Sequence, residues 1–249
     1  MFISKTNILK GISPLIIDGA SSDLPSNITN ADFSANYTGS GERVVIKFGP
    51  KLNLSYIAVS AFGIGSAGRI VVRNGESGPG YDSVRGEYAT VDNHVCMFAF
   101  PAEDFTDLVI VVDSENPAVL PTINYVAAGQ AVKIPNGGEV GGYLRNSLIP
   151  ATKSRTITGK NAAPVANLTY KQSLRGSLTL PNMRSEFVRG DWFEFQKLAA
   201  TQPFFIVDDI NSPQYSVCGF EPQFSAPRAH QATRSLENVS INFRVYNGI

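Results

Sequence analysis

Between residues 56 and 80 the chain runs YIAVSAFGIGSAGRIVVRNGESGPG. Gly63, Gly65 and Gly68 stand there in G-x-G-x-x-G spacing, straight after an apolar run. In a dinucleotide-binding turn the third glycine opens a helix whose N-terminus faces the pyrophosphate. Here β-branched Ile70, Val71 and Val72 follow, and Gly75, Gly78, Pro79 and Gly80 break the chain soon after. Such residues favour a strand, and no helix of useful length can begin. The preceding run also carries Ser55 and Ser60, unlike a parallel strand buried on both faces. The glycines are therefore expected to carry two antiparallel strands over one edge of a sandwich.

The same grammar of short strands and Gly, Pro, Asn and Ser turns extends in both directions. Residues 43–49, 52–62, 69–72, 94–100 and 107–113 are strand candidates, with no amphipathic helix between them. Parallel βαβ units are thereby disfavoured. A strand-like INYVAAG at 123–129 runs on to a Pro-Asn-Gly-Gly turn at 135–138, a candidate domain boundary or hairpin tip. Strands resume at 154–159 and 173–181; in the latter Leu174, Leu178 and Leu180 share one face.

Residues 190–203, GDWFEFQKLAATQP, predict a short helix. Asp191 and Glu194 have capping-box spacing, Trp192, Phe195 and Leu198/Ala199 recur at helical period, and Pro203 stops it. Residues 203–209 and 215–222 read as a hairpin around INSPQ. In the last strand Val239, Ile241, Phe243 and Val245 alternate with Ser240, Asn242, Arg244 and Tyr246. A strand so amphipathic is expected inside a sheet, tying down that end of the chain. No repeat of fixed period and no low-complexity tract is visible.

Composition narrows the function. The 249 residues hold 21 Lys+Arg against 21 Asp+Glu, so the basic face of a nucleic-acid binder is not expected. Hydrophobic residues make up 43%, enough for a sizeable core, whereas charged residues reach only 17%. The surface is expected to rely on Ser, Thr, Asn and Gln or to be covered by neighbouring subunits. No run reaches a membrane span, and the N-terminal MFISKTNILKG lacks the apolar region of a signal peptide. The N-x-[ST] triplets at Asn27, Asn36, Asn53, Asn167 and Asn238 then read as polar turns.

Candidate chemistry is sparse. Asp208 and Asp209 are adjacent, so a regular strand points them to opposite faces; capping of a turn is the favoured reading. Asp82, Asp92, Asp104 and Asp113 could contribute to a Ca²⁺ site at a sandwich rim, though no EF-hand-like spacing supports it. His94 and His230 lack neighbours at ligand spacing, and no C-x-x-C or G-x-S-x-G is present. Cys96 and Cys218 read as separate buried thiols, with a long-range disulfide as the alternative. The cluster Trp192, Phe193, Phe195, Phe204, Phe205, Phe220 and Phe224 is expected to be core, although aromatic surfaces also bind sugars and proteins. No catalytic, cofactor or metal residue is assigned, and an enzyme is not expected.

Residues 56–76, with FTDLVIVVDSENPAVLPTINYVAAGQAVKIP at 105–135, resemble the galactose-binding-like jelly-roll module of tailed-bacteriophage structural proteins. FEFQKLAATQPFFIVDD, YSVCGFEP and the final strand resemble the β-sandwich of phage distal-tail or tail-tip proteins. The resemblance implies an all-β chain of two β-sandwich or jelly-roll units with one short helix near 191–200. The jelly roll would span 1–135 and a ring- or hub-like assembly domain 136–249. It further implies a virion tail protein, made in the host cytoplasm, that forms a homo-oligomeric ring. That ring would be a hexamer or another multiple of three, touching tube and hub proteins, with a host surface glycan as a further candidate partner. Two other functions stay open. One is a carbohydrate- or receptor-binding module, with contacts at the rim of residues 10–130. The other is a glycosidase-like hydrolase, which needs two carboxylates across one cleft.

Overall fold

The computed structural model describes residues 1–30, 36–49, 52–65, 68–75, 84–89, 95–114, 118–135, 152–158, 164–171, 174–211, 213, 216–229 and 236–246. His94, His230, Asp82, Asp92 and the turn at 136–138 lie outside them. The first part of the chain supplies strands β1 (Phe2–Ser4), β2 (Leu15–Asp18), β3 (Tyr37–Thr38), β4 (Arg43–Phe48), β5 (Leu52–Phe62), β6 (Arg69–Asn74), β7 (Val84–Ala89), β8 (Val95–Phe105), β9 (Leu108–Asp113), β10 (Thr122–Gly129) and β11 (Ala131–Lys133). There follow β12 (Thr152–Thr158), β13 (Pro164–Lys171), β14 (Leu174–Arg184), β15 (Phe204–Val207), β16 (Val217–Phe224), β17 (Arg228–Ala229) and β18 (Leu236–Tyr246). Between β14 and β15 runs one helical segment: α1 (Ser185–Phe187), a π-turn (Val188–Trp192) and α2 (Phe193–Ala199). The chain is all-β with one short helix, as its pattern predicts.

Two antiparallel sheets form a sandwich. One has the order β2-β4-β9-β6-β7, the other β3-β10-β5-β8. Ile46, Ile70, Val72, Ile110 and Val112 of the five-stranded sheet meet Ile57, Val59, Phe98, Val126 and Ala128 of the four-stranded sheet in one core cluster. The connection from β5 to β6 passes from one sheet to the other, and a strand follows Gly68. Gly63 and Gly65 hold φ of +72° and +78°, backbone that glycine adopts without a Cβ penalty. The glycine spacing is thus a strand-to-strand crossing, as expected.

The serines of β5 turn out differently. They suggest a strand with one wet face, yet Ser55 and Ser60 are buried. Ser55 Oγ accepts a hydrogen bond from the Ala131 amide at 2.7 Å. A second sheet covers that face. Its order is β11-β1-β15-β16-β18-β14, with β17 also on β18. Tyr56, Ala58, Met97 and Tyr125 of the sandwich pack against Phe205, Val207 and Cys218 of this sheet. Tyr125 and Phe205 stack with centroids 5.9 Å apart. Both β1 and β11, from the two ends of residues 1–135, run in this second sheet, Ile3 lying between Val132 and Ile206. The β12–β13 hairpin forms a separate pair.

The other face of the second sheet is closed by the helical segment. Trp192, Phe195, Leu198 and Ala199 pack on Leu178, Leu180, Phe204, Ile241 and Phe243. Phe195 meets Phe204 edge-on at 5.2 Å, and Phe204 meets Phe243 at 5.2 Å. The predicted hairpin forms as β15–β16, and the terminal strand β18 lies between β16 and β14. The helix begins at Ser185, earlier than its sequence start, and Asp191 does not cap it. Asp191 instead accepts an ion pair from Lys5 Nζ at 2.6 Å, and Glu194 pairs with Lys197 at 2.7 Å. Phe187 and Val188 join the buried stripe because the π-turn absorbs one extra residue before Trp192.

Candidate functional site

The site grows out of an irregularity in β16. Phe220 pairs with Arg244 and Gln223 with Asn242, so Glu221 and Pro222 together oppose Phe243. Pro222 has no amide to give the ladder, which places a bulge there. Glu221 takes up the distortion with φ of +48°, a region costly to a residue with a Cβ, by about 1–3 kcal/mol. β14 repeats the device on the other side of β18. There Pro181 and Asn182 oppose Asn238, Asn182 has φ of +57°, and its amide donates to Asn238 Oδ1 at 2.9 Å. Asn bears αL readily and is held by that bond; Glu221 is the more strained of the two.

The bulge turns the Glu221 carboxylate onto Arg244, Nε to Oε2 at 2.9 Å. Side chains of one pleat row share a face. Arg175 of β14 stands opposite Arg244, and Ser177 opposite Asn242, which in turn faces Gln223. Three strands about 4.8 Å apart and rows about 7 Å apart make a polar platform roughly 10 Å across. All of these side chains are exposed. They line a cleft of about 600 Å³. A second, more apolar cleft of about 430 Å³ adjoins it, formed by residues 199–203 at the end of the helix with Phe220, Pro222 and Tyr246. Glu221 lines both clefts, which lie on either side of it. The Glu221 carboxylate pairs with Arg244, and Arg175 has no ion-pair partner among the described residues.

The platform offers planar donors and acceptors from guanidinium, amide and carboxylate groups, beside aromatic surface. It holds a single carboxylate among the described residues and no imidazole. The two-carboxylate arrangement of a glycosidase is therefore not formed by those residues. No group of three or more potential metal ligands occurs among the described residues.

The residues singled out from sequence fall elsewhere. Asp104 accepts from Asn53 Nδ2 at 2.6 Å, near the β8–β9 turn. Asp113 lies at the far end of β9, bridged by Arg43 at 2.9 Å and Arg69 at 2.8 Å. Asp104 lies on β8 by that turn and Asp113 at the opposite end of β9, so the two do not share a rim site. Asp209 Oδ1 accepts from the Asn211 amide at 3.0 Å, the turn-capping role expected. Cys96 and Cys218 are free and buried, on opposite sides of the four-stranded sheet. Burial pushes the Cys96 thiol up to about 12 and raises Cys218 as well, so neither is an activated nucleophile. The aromatic cluster is core apart from Phe193, the half-buried Phe220, which borders the second cleft, and Phe224, half-buried against the core. Phe193 is 49% exposed and carries Lys197 Nζ 4.6 Å from its ring centroid. Sequence reading passed over Arg175, Glu221, Gln223, Asn242 and Arg244. Pro222 inside a strand pattern was the available signal.

No protein-family model matches the sequence, and no curated protein matches it. Among solved structures, the chain is similar to chitosan-binding module 1 of a chitosanase/glucanase from Paenibacillus sp. IK-5. Identity is 9%, with 50% of this chain and 99% of that one covered at a TM-score of 0.41. It is also similar to CBM32-1 of a family 31 glycoside hydrolase from Clostridium perfringens, at 15% identity, 50% and 99% coverage and a TM-score of 0.38. A Ruminococcus gnavus GH29 fucosidase in complex with fucose is 16% identical, with 52% of this chain and 27% of that chain covered at a TM-score of 0.39. These are likenesses over about half of the chain, at identities too low to carry a ligand or an activity across.

Proposed function

We propose that the chain is a non-catalytic carbohydrate-binding protein whose saccharide lies along the groove of β14, β18, β16 and the helix end. The observation that carries this reading is the groove itself, where a platform of planar polar side chains runs through Glu221 into a pocket bordered by Phe220 and Tyr246. Vicinal hydroxyls donate and accept in one plane, which suits guanidinium, amide and carboxylate partners. The apolar face of a sugar ring suits aromatic side chains. The rim of residues 10–130 supports the reading less well. There Asn53, Asn74, Glu103, Asp104 and Gln130 are occupied by bonds to one another and to backbone. The test is a glycan array followed by calorimetry. Asn242→Ala and Gln223→Ala are expected to weaken the bound glycan about tenfold each, the loss of a charge-free hydrogen-bond pair. An array without a hit sinks the proposal.

A second reading, a subunit of a phage tail ring, is supported by a different feature. The edge strand β2 exposes Leu15 at 64% and Ile17 at 46%, and Ile12 and Leu24 are exposed as well. An exposed apolar edge strand offers pairing to another chain. Under this reading the protein is a virion component that assembles with copies of itself and with tube or hub proteins. Light scattering that finds a strict monomer, with no binding to tail-tube protein, counts decisively against it.

A further inference from the structure

The groove's charge pattern narrows the ligand, an argument that rests on the carbohydrate reading above. We propose that the saccharide carries a carboxylate, as a uronic acid does, and that Arg175 and Arg244 receive it together. The two arginines are a directly opposed cross-strand pair. Their Cβ atoms then lie roughly 5 Å apart, and like charges so placed repel each other. One carboxylate, Glu221, answers two guanidiniums, and Arg175 is left without a partner among the described residues.

Glu221 also demonstrates the chemistry. Its carboxylate docks on Arg244 at 2.9 Å, from a backbone at φ +48°. A carboxylate therefore fits this guanidinium, and the one present is held there against conformational strain. Arg175 offers the same planar fork one strand away, open to solvent. A ligand carboxylate between the two forks gains charge-assisted bonds that a hydroxyl cannot match. It also relieves the repulsion. Asn242, Ser177 and Gln223, one row along the platform, remain for the neutral hydroxyls of the same ring.

The experiment is isothermal titration of the full chain with trigalacturonate and with its fully methyl-esterified counterpart, near pH 7. Trigalacturonate is expected to bind at least about tenfold more tightly. Arg175→Gln is expected to abolish that preference. Glu221→Gln, which removes the competing carboxylate from Arg244, is expected to widen it several-fold. Raising salt from about 50 mM to about 500 mM should weaken the acid and leave the ester nearly unmoved. Equal binding of acid and ester overturns the inference, as does a preference that survives Arg175→Gln. A neutral glycan hit on the array with no binding of either probe also overturns it, while the carbohydrate reading stands. An array with no hit removes both. The substituted side chains are exposed, and an unchanged melting temperature verifies that each variant is folded.

Discussion

Gly63 holds φ at +72°, and the Leu120 carbonyl oxygen lies 2.6 Å from where a Cβ would stand. Both the backbone conformation and the space exclude a side chain. Gly63→Ala is therefore expected to lower stability by about 1–3 kcal/mol. A urea titration checks this: the midpoint falls and the slope is unchanged. The glycine triplet shows what a sequence reveals and hides at this scale. That Gly63, Gly65 and Gly68 form a turn and not a phosphate cradle was legible, because Ile70, Val71 and Val72 follow. That Gly63 faces Leu120 was not, because the partner comes from a connection more than fifty residues away. Ser55 and Ser60 misled for a related reason. A polar side chain marks a wet face only where no other layer covers it, and here Ser55 is spent on the Ala131 amide. The thiols were legible: Cys96 and Cys218 sit in apolar strand patterns, and both are buried without pairing.

The helical segment separates the legible from the illegible within one element. Trp192, Phe195, Leu198 and Ala199 mark its buried face, and Pro203 marks its end. Its start was hidden by Gly190, which reads as a breaker, and by Phe187 and Val188, which fall out of a 3.6-residue period. The π-turn at Val188–Trp192 restores them by widening one turn. Gly190 itself makes no demand on the fold: its φ is not positive, and a Cβ there would meet nothing within 4 Å. Gly190→Ala is expected to stabilise the protein by about 0.5–1 kcal/mol, through a less flexible unfolded chain and a better helix former. A rise in melting temperature reports it, and a fall would mean that the π-turn needs glycine. The candidate site belongs to this scale too. Val239 to Tyr246 reads as an amphipathic strand inside a sheet, which gives its polar half no role. The groove emerges only when β14 and β16 set Arg175 and Gln223 beside Arg244 and Asn242. Registers between strands separated by tens of residues are not written in either strand alone.

At the scale of the molecule, three β layers and a helix are stacked so that the middle layer has no wet face. The seam between sandwich and second sheet is apolar, with Tyr125 on Phe205, and its margins are hydrogen-bonded. Tyr56 donates to the Thr6 carbonyl at 2.7 Å, and the Met97 amide donates to Ser216 Oγ at 2.8 Å. β1 explains why this arrangement escapes sequence reading: its Phe2 and Ile3 pair with Val207 and Ile206 of β15, about two hundred positions later, a contact whose closure no local pattern announces. The stacking makes stability depend on alkaline pH. Cys96, Cys218, Tyr56 and Tyr125 lie in or beside the seam and the core, and burial raises all four, further helped at Tyr125 by repulsion from Cys218. Cys96 moves from an ordinary 9.0 to about 12. Above pH 9 the unfolded chain releases this proton while the folded chain keeps it, so the unfolded state is favoured progressively as pH rises. The contribution is whole below about pH 9 and is lost as pH climbs toward 12. Each group adds a slope of about 1.4 kcal/mol per pH unit once its unfolded form has titrated. The melting temperature is thus expected to fall steadily between pH 9 and 11. The tyrosinate absorbance that Tyr56→Phe and Tyr125→Phe remove should appear only with the unfolding transition, not before it. Cys96→Ala should make the decline shallower, since one of the four protons no longer counts. A melting temperature that stays level to pH 11, or absorbance from those two tyrosines growing in the folded protein, would show that water reaches the seam.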